Sequence, residues 1–483
     1  MSYDGPTELY VNGEWTAASD GSTLETVDPV TEDVYGTVAA ATAADVDDAV
    51  AAARAAAARD SEWRELDPSD RAGYLHAMAD EIAARREEIV EVESRDNGKT
   101  PFEANLDVGM AIDTFRYFAG WTDKLEGSTI PVPGERLNYT LREPLGVTAH
   151  VVPWNYPFQL AGRSLAPALA TGNTAVLKPS SKTPLSALYY GEVADAVGLP
   201  DGVLNVLPGT GSSTGAALTG HEDVEHVAFT GSTAIGSEIM KQAADRIGAV
   251  TLELGGKGPN VVLADADLDA ATKGVQYGIF MNAGQMCYAG SRLIVEESVH
   301  DEMVERMVGV AESLPLGGGI DDDGRMGPLI DAAQREQVHD YVETAVEEGA
   351  TVAAGGGIPE DKETGYFYEP TVLTDVTPDM TVAREEIFGP VLSVLEVSDA
   401  AEALEVANDS HYGLLGGVWT TDLSSAHHFA ERLDCGMVGV NEFPVTFPQT
   451  PFGGMKQSGL GREQGAEAVR EYTQVKNVTV NLG

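Results

Sequence analysis

Short apolar runs rich in β-branched residues alternate with helical stretches from about residue 145 onwards, and this alternation constrains the fold more than any other feature. The first series of runs covers residues 146–152, 173–178, 203–206, 224–229 and 249–254, with helical patterns between them over, for example, 185–197 and 235–247. A second series runs from near Val261 to about residue 440. Strands that alternate with helices are typical of a parallel, doubly wound sheet, so we expect an α/β fold.

The N-terminal part and the C-terminal tail follow other patterns. Apolar residues at helical spacing predict helices over 43–60, 70–93 and 104–122, with the DNGKTP segment at 96–101 as the turn that ends the second helix. Residues 139–142 and 475–480 alternate polar and apolar side chains like exposed strands. These two strands can pair with each other or with another subunit.

The chain is strongly acidic: 77 Asp and Glu residues outnumber 30 Lys and Arg residues, which gives a formal net charge of −47. Such a charge repels phosphate backbones, so we expect no nucleic-acid partner. The acidic residues are spread in short pieces such as 45–48 and 321–323, which indicates an acidic coat over the whole surface rather than an acidic tail. Because salt screens the self-repulsion of such a Lys-poor surface, we expect a halophilic protein.

The two cysteines, Cys287 and Cys435, favour a reducing cytoplasm, because secreted chains of this size usually carry more of them in disulfide-like spacing. Residues 1–10 have neither the basic nor the apolar region of a signal peptide. Apolar stretches stay shorter than the roughly 18 residues that span a bilayer, so we expect no membrane partner. The histidines show no spacing typical of metal ligands, so we expect no metal.

Two short motifs carry residues that could catalyse a reaction. Cys287 ends the GQMC segment, and a Cys in a glycine-containing loop can be a nucleophile if nearby charges favour its thiolate. A buried structural thiol is the alternative. Glu253 ends an apolar strand beside two glycines, at the edge where ligands bind in open α/β sheets. Partial burial would make Glu253 a general base, and a surface carboxylate is the alternative.

Two further motifs follow predicted strands. Asn155 lies in PWNYP at 153–157, where a fixed side-chain amide can donate to an oxyanion. Alternatively, this Asn bonds its own backbone in a turn bracketed by prolines. The GSTAIG segment at 231–236 precedes a helix whose N-terminus suits a pyrophosphate, although the full GxGxxG fingerprint of dinucleotide binding is absent.

Taken in this order, the motifs make the chain resemble the aldehyde dehydrogenase superfamily nearly from end to end. The matching segments are PWNYP at 153–157, KPS at 178–180, FTGST at 229–233, ELGGK at 253–257, GQMC at 284–287, EEIFGPV at 385–391 and PFGGMKQSGLGRE at 451–463. The resemblance implies a Rossmann-like cofactor domain over 1–124 and 145–254, an α/β catalytic domain over 255–453, and a small β oligomerisation element from 125–144 and 454–483. It also implies a homodimer or homotetramer.

The resemblance further implies the catalytic roles. Cys287 would be the nucleophile that attacks the carbonyl carbon of an aldehyde, and the side-chain amide of Asn155 would hold the oxyanion together with the backbone N–H of Cys287. The cofactor, NADP or NAD, would accept hydride and leave a thioester on the cysteine. Water activated by Glu253 would hydrolyse that thioester to the acid.

Cofactor contacts are implied as well. Lys178 would reach the adenosine ribose, Ser232 the pyrophosphate, and Glu386 with Phe388 the nicotinamide ribose and ring. The other residues expected near the cofactor are Pro153, Trp154, Ser181, Gly231 and Leu254.

Ser181 departs from the pattern of many NAD-preferring members, which carry Glu three residues after the lysine. A carboxylate there would repel a 2′-phosphate, whereas Ser181 with Lys178 can hydrogen-bond to one. We therefore expect a preference for NADP, with the alternative that Ser181 tolerates either cofactor.

Substrate contacts are expected from Tyr156, Arg163, Met286 and Tyr288. General and betaine-aldehyde branches usually carry Trp at the position of Arg163, whereas semialdehyde dehydrogenases can carry Arg. Arg163 can pair with a substrate carboxylate, which favours an acidic aldehyde such as succinic or 2-oxoglutaric semialdehyde. An Arg in a structural ion pair is the alternative. The rest of the expected pocket, with Gln159 and the loop at 443–448, is largely apolar.

Three rival functions are weighed against this one. A non-catalytic protein of this fold would be free to lose Cys287, Glu253 or Asn155, and all three are present. A CoA-acylating branch typically lacks the base at the Glu253 position, so its presence favours hydrolysis. A general NAD-dependent aldehyde dehydrogenase of aliphatic or aromatic substrates is the third rival. Cys435 matches no motif and is interpreted as structural.

Overall fold

The computed structural model describes residues 3–320, 324–443 and 446–483. Two segments named above, the acidic residues 321–323 and residues 444–445 of the expected pocket loop, therefore lie outside the described residues. The strands are β1 (Leu9–Val11), β2 (Glu14–Thr16), β3 (Thr23–Val27), β4 (Val34–Ala39), β5 (Arg136–Pro144), β6 (Val147–Val151), β7 (Thr174–Lys178), β8 (Leu204–Val206), β9 (His226–Thr230), β10 (Ala249–Glu253), β11 (Pro259–Val262), β12 (Arg292–Glu296), β13 (Thr351–Ala354), β14 (Thr371–Thr374), β15 (Val391–Val397), β16 (Leu415–Trp419), β17 (Met437–Val440), β18 (Gly459–Leu460) and β19 (Thr473–Asn481). The α-helices are α1 (Ala43–Ala56), α2 (Glu62–Glu65), α3 (Pro68–Ala84), α4 (Arg86–Asn97), α5 (Pro101–Ala119), α6 (Pro157–Ala170), α7 (Leu185–Val197), α8 (Ala216–Gly220), α9 (Thr233–Arg246), α10 (Leu268–Phe280), α11 (Glu297–Ser313), α12 (Ala332–Glu348), α13 (Thr381–Arg384), α14 (Ala400–Asn408), α15 (Leu423–Arg432) and α16 (Gly465–Glu471).

The first predicted series of strands forms an eight-stranded sheet in the order β18-β10-β9-β6-β7-β8-β1-β2. Its five central strands, β10 to β8 in that order, run parallel. The chain leaves β6 first towards β7 and β8 and later returns to the other side of β6 with β9 and β10. This reversal is a topological switch point, and ligands bind outside the carboxyl ends of the strands at such a point. The predicted α/β fold with a Rossmann-like sheet is confirmed.

The second predicted series forms a seven-stranded sheet in the order β13-β14-β15-β12-β11-β16-β17. All its neighbours are parallel except β13, which runs antiparallel to β14. The inner strands β11 and β12 are almost entirely buried, as continuous apolar strands of a parallel sheet should be when helices cover both faces.

The helix predicted over 70–93 is two helices, α3 and α4, with Arg85 between them. The side chain of Arg85 donates to Glu81 in α3 and to Glu192 in α7, so the break is fixed by charges that apolar periodicity does not register. The predicted turn follows α4, where Gly98 adopts a left-handed φ of 85°. Over the described residues, no helix is both long and apolar enough to cross a membrane.

The two exposed strands pair with each other. β5 and β19 form an antiparallel two-stranded sheet whose register runs from Pro144 opposite Thr473 to Arg136 opposite Asn481. The segment 454–483 is not one element, however, because β18 pairs with the end of β10, with Gly459 opposite Glu253. The tail therefore contributes one strand to the first sheet beside Glu253 and one strand to the pair with β5.

Gly98 and Gly198 provide a matched pair for testing how α4 must end. Both glycines end a helix in the left-handed region, but a Cβ on Gly98 would lie 2.9 Å from Pro29 and from Pro328, whereas a Cβ on Gly198 would meet no atom within 4 Å. We expect Gly198→Ala to lower the free energy of unfolding by about 1 kcal/mol through backbone strain. We expect Gly98→Ala to lower it by about 1–3 kcal/mol more, through overpacking against the two proline rings. Urea-unfolding midpoints measure this, and equal losses in the two variants would contradict it.

Candidate active site

The predicted catalytic residues come from both sheets and meet between them. Asn155 follows β6 at the switch point of the first sheet, and Glu253 is the last residue of β10 in the same sheet. Cys287 lies in the loop between α10 and β12 of the second sheet. The chain thus brings Asn155 and Cys287, which lie 132 residues apart, into one site, and the Glu253 carboxyl lies close enough to raise the pKa of the Cys287 thiol.

Two cavities meet at Cys287. The larger, of about 530 Å³, is lined by the predicted substrate residues Tyr156, Arg163 and Tyr288. The smaller, of about 170 Å³, is lined by six of the predicted cofactor residues, namely Pro153, Trp154, Gly231, Ser232, Glu386 and Phe388. Cys287 and Asn155 line both cavities. A group bound in either cavity would therefore lie next to the same thiol and the same amide.

The loop before Cys287 has an unusual backbone. Asn282, Ala283 and Gly284 take φ values of 49°, 51° and 71°, three consecutive residues in the left-handed region. Such a conformation costs of order 1 kcal/mol or more for a residue such as Ala283, and it persists only where surrounding contacts hold it. The strain therefore marks a loop whose shape the rest of the structure imposes.

Hydrogen bonds hold this loop against Asn155. The Asn155 side chain donates to the carbonyl of Gln285 over 2.9 Å, and the Asn282 side chain donates to the carbonyl of Asn155 over 3.0 Å. The Gln285 side chain in turn accepts from the backbone N–H of Ile330 over 2.9 Å. An amide nitrogen has two N–H donors. One donor of Asn155 is used by Gln285, and the second can serve a bound oxygen.

Cys287 is a partly exposed thiol in surroundings that favour its neutral form. Burial, with the Glu386 and Glu253 carboxyl groups, raises the pKa of Cys287 to about 12 against the opposing effect of the Arg163 guanidinium. Cys287 is therefore protonated in the resting protein, and attack on a carbonyl requires its proton to leave.

Glu253 is fully buried, and neither of its carboxyl oxygens accepts a hydrogen bond from the described residues. Burial raises the pKa of Glu253 well above its usual range, and the carboxyl of Glu463 adds to the rise, while Arg163 and Arg462 oppose it. A carboxyl group with free oxygens and a raised pKa is suited to exchange a proton with water.

The two glycines of the ELGGK segment are required by close contacts. A Cβ on Gly256 would lie 2.1 Å from the carbonyl oxygen of Cys287, and a Cβ on Gly255 would lie 2.4 Å from a carboxyl oxygen of Glu386. The N–H of Gly256 donates to Glu386 over 2.9 Å. Burial raises the pKa of Glu386 to about 7, against the effects of this N–H and of Lys257. The two glycines that follow Glu253 thus pack directly against the Cys287 loop and against Glu386.

The smaller cavity has the features of a dinucleotide site. Ser232 is the N-cap of α9, so backbone N–H groups at the start of that helix face the cavity entrance. Phe388 takes a left-handed φ of 58°, its carbonyl accepts from Gln334 over 3.0 Å, and its ring meets the edge of Trp154 at 5.3 Å. The helix N-terminus suits a pyrophosphate, the aromatic side chains of Trp154 and Phe388 suit a nicotinamide ring, and the Glu386 carboxyl suits a ribose.

Three predicted cofactor residues lie outside the wall of this cavity. Leu254 is buried, and a Cβ on Gly236 of α9 would meet its side chain at 2.5 Å, so Leu254 fixes α9 against β10. Lys178 ends β7 and donates to the carbonyl of Pro179 over 2.9 Å, and burial lowers its pKa to about 8. Ser181 follows it as a half-buried residue.

The walls of the larger cavity combine six aromatic side chains with aliphatic, amide and charged ones. The rings of Tyr156 and Tyr288 stack at 6.5 Å, and Tyr288 meets the edge of Phe452 at 6.1 Å. Gln159, Trp419 and Phe443 also line it. Met286 is 2% exposed and packs into the core, so among the described residues it stands behind the cavity wall rather than in it.

Arg163 lines the same cavity but already has a partner. It lies on α6, all of whose residues are buried, and it forms an ion pair with Glu463. Its guanidinium also lies 4.2 Å from the centre of the Phe452 ring. The alternative expected from the sequence, a structural ion pair, therefore exists. One terminal nitrogen, Nη2, makes no hydrogen bond to the described residues.

Several residues of the site were not identified from the sequence. Glu463 ends the matching segment at 451–463, but nothing in that segment indicates that it pairs with Arg163. Gln334 has no local signal that would connect it to the site. Lys99 and Glu103 had one: Thr100 and Glu103 form a capping box at the start of α5, which the sequence shows as Thr-Pro-x-Glu after a turn. That signal marks a helix start and does not reveal that the same carboxylate reaches the Cys287 loop.

Comparisons with known proteins agree with this geometry. A sequence profile described as the aldehyde dehydrogenase family matches residues 15–478. The mitochondrial aldehyde dehydrogenase of Homo sapiens is 44% identical over 478 residues, which cover 98% of this chain and 92% of the human protein.

Solved structures agree as well. The NAD⁺ complex of an aldehyde dehydrogenase from Bacillus cereus is 46% identical and aligns with a TM-score of 0.97 over 99% of this chain and 97% of that one. A betaine aldehyde dehydrogenase from Staphylococcus aureus, in complex with NAD⁺, is 39% identical and aligns with a TM-score of 0.97 over 99% and 95% of the two chains.

Proposed function

This chain belongs to the aldehyde dehydrogenase family, whose members are oxidoreductases that act on aldehydes with NAD(P)⁺. We propose that it oxidises an aldehyde to its carboxylic acid through a thioester on Cys287. The observation that carries this proposal is the position of Cys287 and Asn155 in the walls of both cavities. An aldehyde in the larger cavity and a hydride acceptor in the smaller one would meet at this thiol.

In the first step, Cys287 Sγ forms a bond to the carbonyl carbon while the π bond of the carbonyl breaks, and the thiol proton passes to solvent at the partly exposed side of the thiol. Negative charge moves to the carbonyl oxygen, where the free N–H of the Asn155 amide donates to it. NAD(P)⁺, when bound, supplies the acceptor for the hydride that leaves this carbon, so that the Cys287 thioester remains. The buried surroundings favour this chemistry, since hydrogen bonds to a developing charge are stronger where water is excluded.

In the second step, Glu253 takes a proton from the water that attacks the thioester, the C–S bond breaks, and the thiol of Cys287 is restored. The raised pKa of Glu253 sets the sign of the pH dependence. Only the ionised carboxylate can accept the proton, and raising the pH increases its fraction. Hydrolysis therefore accelerates as the pH rises towards the raised pKa of Glu253.

The finer proposal for the cofactor is a preference for NADP⁺ over NAD⁺. It is supported by the hydroxyl at Ser181 in place of a carboxylate and by the nearby ammonium of Lys178, which is protonated below about pH 8. Both groups can donate to a 2′-phosphate, whereas neither repels it.

Ser181→Glu tests the cofactor proposal. A carboxylate at this position repels the 2′-phosphate, so we expect kcat/KM for NADP⁺ to fall about tenfold or more, equivalent to about 1.4 kcal/mol, with little change for NAD⁺. Ser181→Gln is the matched control, because it adds the same bulk without charge and should keep the ratio of the two cofactors. A ratio that is the same in Ser181→Glu and in the unmodified protein would contradict the proposal.

The finer proposal for the substrate is a carboxylate-bearing semialdehyde. Arg163 supports it, because this cation lines the larger cavity and retains the free Nη2 group beside its pairing with Glu463. The aromatic and aliphatic part of the cavity wall, and the likeness to a betaine aldehyde dehydrogenase from Staphylococcus aureus, support the alternative of an aldehyde without a carboxylate.

A panel of aldehydes tests the activity and the substrate together, at low and at high KCl because of the acidic composition. Aldehyde-dependent NAD(P)H formation should be lost in Cys287→Ala and kept in the control Cys435→Ala. Succinic semialdehyde should exceed butanal, which has the same number of carbons, by about tenfold or more in kcat/KM, as one charge-assisted hydrogen bond provides. Faster butanal oxidation would remove the role of Arg163 in substrate choice, and activity in Cys287→Ala would remove the thioester mechanism.

We also propose that the β5–β19 sheet joins copies of this chain into a homodimer or homotetramer. An isolated two-stranded sheet is only marginally stable in water. This one exposes large apolar side chains on both strands, namely Leu137, Leu141, Val475 and Val480. A second copy that covers them would remove apolar surface from water. A cytoplasmic location and adaptation to salt stay predictions.

A further inference from the structure

A buried cluster of charged side chains contacts the backbone of Asn155. Lys99, Glu93 and Asp107 are each less than 5% exposed, and they come from the turn after α4, from α4 and from α5 respectively. The ammonium of Lys99 lies 3.2 Å from a carboxyl oxygen of Glu93 and 2.5 Å from one of Asp107. Its third hydrogen bond runs over 2.9 Å to the backbone carbonyl of Asn155.

This arrangement uses all the donors of the ammonium group. A lysine has three N–H donors, and the three bonds point to three different elements. Burying such a charge is costly unless it is fully paired, so the geometry of the cluster cannot relax without losing a bond. The Lys99 ammonium also lies 4.4 Å from the centre of the Tyr156 ring, the residue that follows Asn155 and lines the larger cavity.

The carbonyl of Asn155 accepts a second hydrogen bond, from the side chain of Asn282 over 3.0 Å. The backbone N–H of Asn282 donates to Glu103 over 2.6 Å, and the other carboxyl oxygen of Glu103 accepts from the N–H and the hydroxyl of Thr100. The segment 99–103 therefore holds the oxyanion amide through Lys99 and the strained Cys287 loop through Glu103. This segment therefore connects Asn155 with the loop that carries Cys287.

We propose that Lys99 is a positioning residue that aims the Asn155 amide at the substrate oxygen, and this inference rests on the proposed function. Lys99 acts through the backbone of Asn155 and does not touch the reacting atoms. Glu103 positions the nucleophile loop in the same way through Asn282. Asp107, which lines the larger cavity, holds Lys99 in place from the substrate side.

A positioning role and a purely stabilising role of Lys99 predict different effects on two reactions of Cys287. Aldehyde oxidation needs the oxyanion contact of Asn155, whereas alkylation of Cys287 by iodoacetamide forms no oxyanion and needs only a reactive thiol. A misaimed Asn155 amide should therefore slow oxidation and spare alkylation. A loosened fold would change both, together with cofactor binding.

The first test is Lys99→Met, which keeps the length of the side chain and removes its donors. We expect kcat to fall about 100-fold, the effect of losing one oxyanion donor, while the alkylation rate of Cys287 and the Kd for NAD(P)⁺ change less than about threefold. Lys241→Met, which removes an exposed lysine paired with Glu238, is the control and should behave like the unmodified protein. Equal losses in all three measurements would overturn the proposal.

The second test is a double-mutant cycle. In an Asn155→Ala background, Lys99→Met should have almost no further effect on kcat, because the group that Lys99 aims is gone. Additive losses would overturn the proposal. Lys99→Arg covers the case in which Lys99→Met does not fold, because it keeps the positive charge and moves the donor atoms. We expect it to lose about tenfold in kcat and to lose less thermal stability than Lys99→Met. If the unmodified protein oxidises no aldehyde, the proposed function is wrong. That outcome is distinct from a failure of the Lys99 proposal, because the cycle then has no kcat of the unmodified protein to start from.

Discussion

The contact between Asn155 and the loop at 282–287 is the interaction on which the rest of the site depends. Asn155 belongs to the end of a central strand in the first sheet, and the loop belongs to the second sheet. The Asn155 side chain donates to Gln285, and its backbone carbonyl accepts from Asn282 and Lys99. These bonds stabilise the left-handed backbone of the loop. They also hold the Cys287 thiol at the boundary of the two cavities, beside the Asn155 amide.

Burial determines the charge state of the groups around this contact. It raises the pKa of Cys287 to about 12 and of Glu386 to about 7, raises that of Glu253 well above its usual range, and lowers that of Lys257 to about 7. The surroundings therefore disfavour the charged form of both the nucleophile and the candidate base. In the proposed mechanism their charges are formed only during turnover, where bound groups and the Asn155 amide can stabilise them.

The sequence predicted the parts that depend on local pattern. The alternation of strands and helices gave both sheets, and the motifs at 153–157, 253–257 and 284–287 lie at the strand ends and loops that meet. The parts it did not predict depend on distant partners. The pairing of Arg163 with Glu463, the bond from Arg85 to Glu192 and the contact of Glu103 with Asn282 each join residues that periodicity treats as unrelated. Met286 was expected beside the substrate, but its side chain packs into the core.

The most direct measurement of the central claim is the mass of Cys287 in a quenched reaction of Glu253→Gln with an aldehyde and NAD(P)⁺. Glutamine keeps the shape of the buried side chain but cannot accept a proton from water. The account predicts a burst of about one NAD(P)H per site, slow turnover after it, and an acyl group attached to Cys287. Steady turnover of Glu253→Gln at the rate of the unmodified protein, with no acyl group on Cys287, would contradict the account.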